Sequence, residues 1–389
     1  MNTLLISLLR SKLVGGEVDK ERLKELSSDE LNTLYELSAS HDVSHIVGAV
    51  LVESGALEEK PQEKAFFSKE HMLAVYRYRR LTDELNLISD LFEREAIAHI
   101  ALKGSVLRNY YPEPWMRTSC DIDILVKEEE LDRARTLLER SLGYTYSSKT
   151  GHDVALNSST GVHLELHFAL VEGSVLKQAH NILSSVWKSA VLVGEKKYTY
   201  SMADEMFYFY HIVHMAKHFL SGGCGIKNFL DLWLFKTSIA GDEKKRESLI
   251  SLAGLSDFAT AANKLVDVWL SEKDHDENTL LFEKFVFWGG AYGTVENGVQ
   301  FDIVKRKSKM KYLVSRIFPP YKTMVNMYPS LEKRKFLLPF YHIRRWLRIL
   351  FLGGAKRARV QVSKCAALNK EEIDEASQVL SFLGLDKVK

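Results

Sequence analysis

The chain has 389 residues, 46% of them hydrophobic and 27% charged, with a formal net charge of only +2. That balance excludes a disordered or fibrous chain and allows two or three packed units. No run approaches the roughly 18 apolar residues that a membrane span needs, since even 207–220 is broken by His211, His214, Lys217 and His218. Cys120, Cys224 and Cys365 are widely scattered and form no Cys-x-x-Cys pair, which points to a reducing, cytoplasmic setting without a disulfide framework.

Residues 1–95 read as a helical region. The apolar stretch 1–9 lacks a basic leader and a cleavage site, so it reads as a helix and not as a signal peptide. Gly55 and Pro61 punctuate an early pair of helices, and Leu81, Leu85, Ile88 and Phe92 then recur at helical spacing. A buried strand over 97–102 follows, leading into Lys103-Gly104-Ser105 and the start of a helix over 106–111. Gly104 permits a tight turn there, and Ser105 opens the helix with free backbone N–H groups, an arrangement that cradles phosphate.

After the rigid aromatic loop 110–115 comes a second apolar run that holds Asp121 and Asp123. The aspartates alternate with Ile122 and Ile124, so on a strand both carboxylates leave one face while the isoleucines enter the core. Two adjacent carboxylates repel unless a cation lies between them. Mg²⁺ is the usual choice, because it keeps open positions for phosphate oxygens.

The segment 127–142 predicts an amphipathic helix with Leu131, Ala134, Leu138 and Leu142 inward and Gly143 as its C-terminal cap. Segments 154–156 and 162–168 predict a hairpin around the turn 157–161. Within the second of these, His163, Glu165 and His167 share one face, opposite Val162, Leu164, Leu166 and Phe168. One reading is an exposed edge strand with a polar outer face. The other makes Glu165 a general base or metal ligand, with His167 contacting phosphate or orienting Glu165. A His-x-Glu-x-His zinc site is a further option, although zinc enzymes more often take histidines at helical spacing.

Ser201-Met202-Ala203-Asp204 predicts a capping box, after which the chain stays helical. His211, His214 and His218 fall on one helical stripe. They form either a metal site or a packing face of satisfied histidines, and no acid or cysteine joins them at ligand spacing.

The Gly104-Ser105 turn followed by Asp121-x-Asp123 resembles the nucleotidyltransferase superfamily typified by DNA polymerase β, with a spacer over 106–120 that is longer than usual. Lys103-Gly104-Ser105, Tyr110-Tyr111-Pro112, Arg117 and Glu165-Leu166-His167 narrow the likeness to the uncharacterised bacterial nucleotidyltransferases of the NTP_transf_5 family. Further matches are Ser40-His41-Asp42-Val43, Lys217-His218, Gly225-Ile226-Lys227, Asp231, Phe318-Pro319, Tyr328-Pro329 and Leu337-Leu338-Pro339. The Lys-Gly-Ser and Arg-x-Ser-x-Asp-x-Asp pattern is also similar to nucleotidyltransferase toxins of abortive-infection systems.

The resemblance implies an α+β fold, in which a small mixed sheet with flanking helices (96–200) is embedded between a helical region (1–95) and two helical regions (201–300 and the basic 301–389). It implies Mg²⁺- or Mn²⁺-dependent transfer of a nucleoside monophosphate from an NTP to a hydroxyl, with release of pyrophosphate. Asp121, Asp123 and Glu165 would be the catalytic and metal-binding acids. Lys103, Gly104, Ser105, Arg117, Ser119, His167 and Lys217 would hold the nucleotide, with Lys227 second to Lys217, and Arg117 could instead brace the acidic strand as an ion pair. The acceptor could be an RNA 3′ end, a protein side chain or a small molecule. A contrasting expectation is a catalytically silent nucleotide-binding regulator, or the toxin-like half of a defence system.

The charge is concentrated at one end. Residues 305–359 hold sixteen lysines and arginines against one acid, Glu332, so this stretch is +15 and the remainder −13. Tyr312, Phe318, Tyr321, Tyr328, Phe336, Phe340, Tyr341 and Trp346 are interleaved, a composition suited to stacking on unpaired bases of RNA, for example a tRNA 3′ end. Two other readings are a basic face packed against the acidic remainder and an amphipathic membrane-surface helix over 342–352.

Overall fold

A seven-stranded mixed sheet organises the middle of the chain. The computed structural model describes residues 1–172, 176–351 and 355–387, without the side chains of 326, 350 and 355–358. Leu352 and the side chains of Lys356 and Arg357, counted above with the amphipathic helix and the basic stretch, therefore lie outside the described residues. The strands are β1 (His99–Ala101), β2 (Asp121–Val126), β3 (Thr145–Lys149), β4 (Asp153–Asn157), β5 (His163–His167), β6 (Val191–Leu192) and β7 (Thr199–Ser201), in the spatial order β3-β4-β5-β2-β1-β7-β6. β2 pairs parallel with β5 and antiparallel with β1. The expected hairpin is present as the antiparallel pair β4 and β5. Helices precede, flank and follow the sheet, so the architecture is α+β as anticipated.

Period-two alternation gives the sheet two unlike faces. On one face Ile122, Ile124 and Val126 of β2 and Leu164 and Leu166 of β5 are enclosed by Leu131, Ala134 and Leu138 of helix Leu131–Leu142 and by Leu81, Ile88 and Phe92 of the long helix Pro61–Arg94. Ile122, Ile124, Leu164 and Leu166 are all fully buried, and each such side chain contributes about 1.5–3 kcal/mol. Helix Leu131–Leu142 ends on Gly143 in the left-handed conformation, as its sequence requires. The opposite face carries the carboxylates and histidines, towards helices Asp204–Leu220 and Ile226–Thr237. Because β5 lies between β4 and β2, it is an interior strand, and the exposed-edge reading of its polar face does not hold.

Two local expectations are corrected. Ser201 ends β7 opposite Val191, and its hydroxyl donates to the Val191 carbonyl, so it is not free to cap the following helix. That helix starts at Asp204 with Ala203 at the N-cap and no side-chain cap. At the turn after β1, the residue with positive φ is Lys103 (φ 47°, ψ −123°) and not Gly104. Gly104 instead lies close under its neighbours, since a Cβ there would lie 3.3 Å from the Arg117 guanidinium and 3.4 Å from the Ser119 side chain. Among the described residues no helix is long and apolar enough to cross a membrane.

Candidate active site

The parallel register of β2 and β5 sets Asp121 beside His163, Asp123 beside Glu165, and Leu125 beside His167. On the far side of β5, the antiparallel register sets Asp153 beside His167. Strand pairing alone thus gathers four carboxylates and two imidazoles from three strands on one face. Asp121, Asp123, Glu165 and His167 line a cavity of about 360 Å³ together with Lys103, Gly104, Arg117, Ser119 and Lys217, nearly the whole set of residues singled out in the sequence. Ser105 does not line it.

The contacts inside the cavity centre on Asp123. Its Oδ1 accepts from Lys103 Nζ at 2.9 Å and from His167 Nε2 at 2.8 Å, and His167 Nε2 also lies 3.3 Å from Glu165 Oε2. Burial would raise the Asp123 carboxyl, yet the Lys103 charge and the His167 hydrogen bond hold it well below the usual carboxylate range. Asp121 is pushed the other way, by burial and by the neighbouring Asp123 charge. It makes no hydrogen bond or ion pair among the described residues. Burial opposes the charged form of Lys103, but Asp123 outweighs it and raises the lysine. His167 is raised in the same way by Asp123 and Glu165, again against burial.

Asp123, Glu165 and His167 bring ligand atoms within 4.8 Å of one another, the spacing of a cation site. The left-handed backbone at Lys103 carries strain on the order of 1–3 kcal/mol for a residue with a Cβ. It is the conformation that turns the lysine from the end of β1 onto Asp123.

Arg117 has a different neighbourhood. Its Nε donates to both carboxylate oxygens of Asp231, at 2.7 and 2.9 Å, and Asp231 also accepts from the Tyr111 hydroxyl at 2.8 Å. Asp231 is fully buried and Arg117 nearly so. This pair ties the approach to β2 to helix Ile226–Thr237. Ser119 accepts from Arg108 Nη2 at 2.9 Å, and Arg108 Nε donates to the Gly104 carbonyl at 2.9 Å. Arg108 thereby bridges the two halves of the motif, a role not anticipated from the sequence, where it reads as one more helical arginine.

Lys217 is half-buried on the cavity wall, and its side-chain ammonium makes no hydrogen bond among the described residues. Burial and the nearby Lys103 charge both lower its pKa. Lys227 lies in the same cavity but is engaged by Asp42, and it also donates to the Thr118 carbonyl at 3.2 Å. The histidine stripe divides. His214 and His218 face the cavity with their Nε2 atoms 2.9 Å apart, whereas His211 Nε2 meets the Asn228 carbonyl at 2.9 Å. Burial leaves His214 and His218 hard to protonate, His218 with a pKa of about 4.

Two further contributors come from distant segments. Asp42, at positive φ, accepts from the Thr118 hydroxyl at 2.9 Å. Ala291 and Tyr292 reach the cavity from a loop packed on 222–225 so closely that a Cβ on Gly223 would lie 2.5 Å from the Gly293 Cα. Glycine runs at 222–225 and 289–293 were the available signal for that crossing.

The model of a family described as uncharacterised nucleotidyltransferase matches residues 27–271. The chain belongs to this nucleotidyltransferase family. No curated protein and no solved structure matches it. The matched span of the nucleotidyltransferase holds the whole sheet, the cavity-lining residues of helices Asp204–Leu220 and Ile226–Thr237, and the loop bearing His41 and Asp42. Tyr292 and the basic region lie beyond it.

The loop bearing Asp42 predicts how the nucleotidyltransferase responds to acid. His41 and His45 are buried, His45 against the Met116 carbonyl at 2.8 Å, and burial lowers each pKa to about 4. In the unfolded chain a histidine titrates near 6.5, so below that pH the unfolded state binds more protons than the folded one. Stability should therefore fall as pH drops from about 6.5 to about 4, by up to roughly 3 kcal/mol for each histidine. Urea midpoints should decrease over this range, and His45→Gln should flatten the dependence; a midpoint that ignores pH contradicts the assignment.

Proposed function

We propose that the protein transfers a nucleoside monophosphate from an NTP to a hydroxyl acceptor, with Asp121, Asp123 and Glu165 as the catalytic and metal-binding acids. The observation that carries this reading is the pairing of Asp123 with Glu165 across parallel strands, with Asp121 on the same face, in a cavity also lined by three lysines. The residues suit Mg²⁺ or Mn²⁺: the Asp123 and Glu165 carboxylates lie at cation-site spacing, and Asp121, on the same face, has no hydrogen-bond partner among the described residues. When bound there, such a cation supplies Lewis-acid stabilisation of the pyrophosphate leaving group and lowers the pKa of the acceptor hydroxyl.

In the reaction the acceptor oxygen forms a bond to the α-phosphorus, and the bond from that phosphorus to the α,β-bridging oxygen breaks. Glu165 takes the hydroxyl proton. Lys103 and Lys217, with Lys227 in support, neutralise the phosphates, and their positions within a walled cavity strengthen that attraction. Gly104 keeps the backbone close to the nucleotide, and Ser105 follows it in the short helix Gly104–Leu107. Arg117 and Ser119 act as positioning residues, since Asp231 and Arg108 engage them. His167 orients Asp123 and Glu165. The same acids weigh against a catalytically silent regulator or an inactive toxin-like component.

Thermal shift with each NTP tests the first half of the proposal. Melting should rise with NTP plus Mg²⁺ and rise less with either alone. Incubation with α-labelled NTP, total RNA and cell lysate tests the second half, because label in RNA, in protein or in a small product identifies the acceptor. No melting shift with any NTP, together with no transferred label, would sink the proposal.

A further inference from the structure

The basic region supplies a surface that the catalytic reading does not use. Helix Leu338–Phe351 and the turn before it expose Phe336 (78%), Phe340 (60%), Ile343 (51%), Leu347 (50%) and Phe351 (79%). Steps of four, three, four and four residues put these five on one helical stripe. Arg344 and Arg348, also exposed, lie along one edge of the stripe, and Lys333, Arg334 and Lys335 precede it. The neighbouring helix Lys309–Ile317 adds exposed Met310, Val314 and Ile317. It is locked to the first helix by Trp346 Nε1 donating to the Ile317 carbonyl at 2.9 Å and by Arg345 Nη2 donating to the Arg316 carbonyl at 3.0 Å. Two amphipathic helices thus present apolar and cationic side chains together.

We infer that this face docks in the plane of an anionic lipid surface. An apolar stripe edged by arginines on a helix far too polar to span is the signature of an interfacial helix, and the +15 stretch matches the negative potential of acidic headgroups. Charge disfavours a second copy of the chain, since it would bring two strongly positive faces together. The rings fit RNA less well. Tyr312 is fully buried under Arg316, the Tyr321 hydroxyl donates to the Leu331 carbonyl at 2.9 Å, and Trp346 packs edge-on against Phe318. Of the five residues on the exposed stripe, Ile343 and Leu347 offer no ring for a base to stack on.

The test is co-sedimentation of the full chain with vesicles, without nucleotide, so that its outcome is independent of the transferase reading. The protein should pellet with phosphatidylcholine vesicles containing phosphatidylglycerol and stay in solution with pure phosphatidylcholine, and added salt should weaken binding. Phe340→Ser with Leu347→Ser should weaken partitioning roughly tenfold or more, the loss of two apolar side chains from the interface. Arg344→Glu with Arg348→Glu should weaken it similarly, while circular dichroism stays unchanged in both variants because all four positions are exposed. Failure to pellet with either vesicle, or equal partitioning of the wild type and both variants, overturns the inference. Binding of polyuridylate that both variants lose, without vesicle binding, reassigns the face to RNA.

Discussion

Asp123→Asn is expected to lower nucleotide transfer by roughly three orders of magnitude, measured as the initial rate of label incorporation under saturating NTP and Mg²⁺. Asparagine keeps the shape and one acceptor oxygen but removes the charge that Lys103 and His167 hold in place. The substitution also leaves the half-buried Lys103 ammonium without its ion-pair partner, so some stability is lost as well. The two effects separate by experiment, because a urea midpoint reports the second while the rate of the folded fraction reports the first. A rate within about threefold of wild type would remove Asp123 from the catalytic assignment, and Asp121→Asn and Glu165→Gln would then need to be read afresh.

Asp231→Ala should destabilise the fold by roughly 3–5 kcal/mol, because it strands a buried guanidinium and a buried phenol at once. Removing both charges should cost less than removing one. Asp231→Ala combined with Arg117→Met is therefore expected to recover part of the loss, and the double-mutant cycle gives the coupling. Denaturant titration of the three variants checks this. If Asp231→Ala costs under about 1 kcal/mol, the pair does not hold the approach to β2 against its helix.

Local and long-range features of the chain differ in how far its sequence reveals them. Asp121, Asp123 and Glu165 were readable because alternation along a strand is local: residues two apart share a face wherever the strand lies. The hairpin of β4 and β5 and the Gly143 cap were readable for the same reason, since short-range turn and capping chemistry fixes both. Arg117 was recognisable as a motif residue, but its partner, Asp231, lies 114 positions away and no periodicity relates them. Gly104 was identified at the right place for the wrong physical reason. The left-handed strain falls on Lys103, and the glycine lies close under Arg117, which only the packed neighbour reveals.

Asp42 and Tyr292 show the same limit. Asp42 was part of a recognised motif, but its hold on the cavity-lining Lys227 comes only through long-range packing, and Tyr292 reaches the cavity only through a glycine crossing. The basic region was legible as charge, while which of its apolar side chains are buried was not. Tyr312 is fully covered and Phe336 almost bare, although both stand among lysines in the sequence.

The sequence by itself determined the acidic face of β2 and the polar face of β5, because strand alternation acts over a few residues, and the family resemblance of its motifs implied the α+β class. Tertiary structure alone decided that β5 is an interior strand and that its parallel register with β2 sets Glu165 beside Asp123. It also decided that Arg117 is a buried brace and that an apolar stripe stays uncovered. Register, burial and ion pairing depend on which distant segments meet, and local sequence does not carry that information.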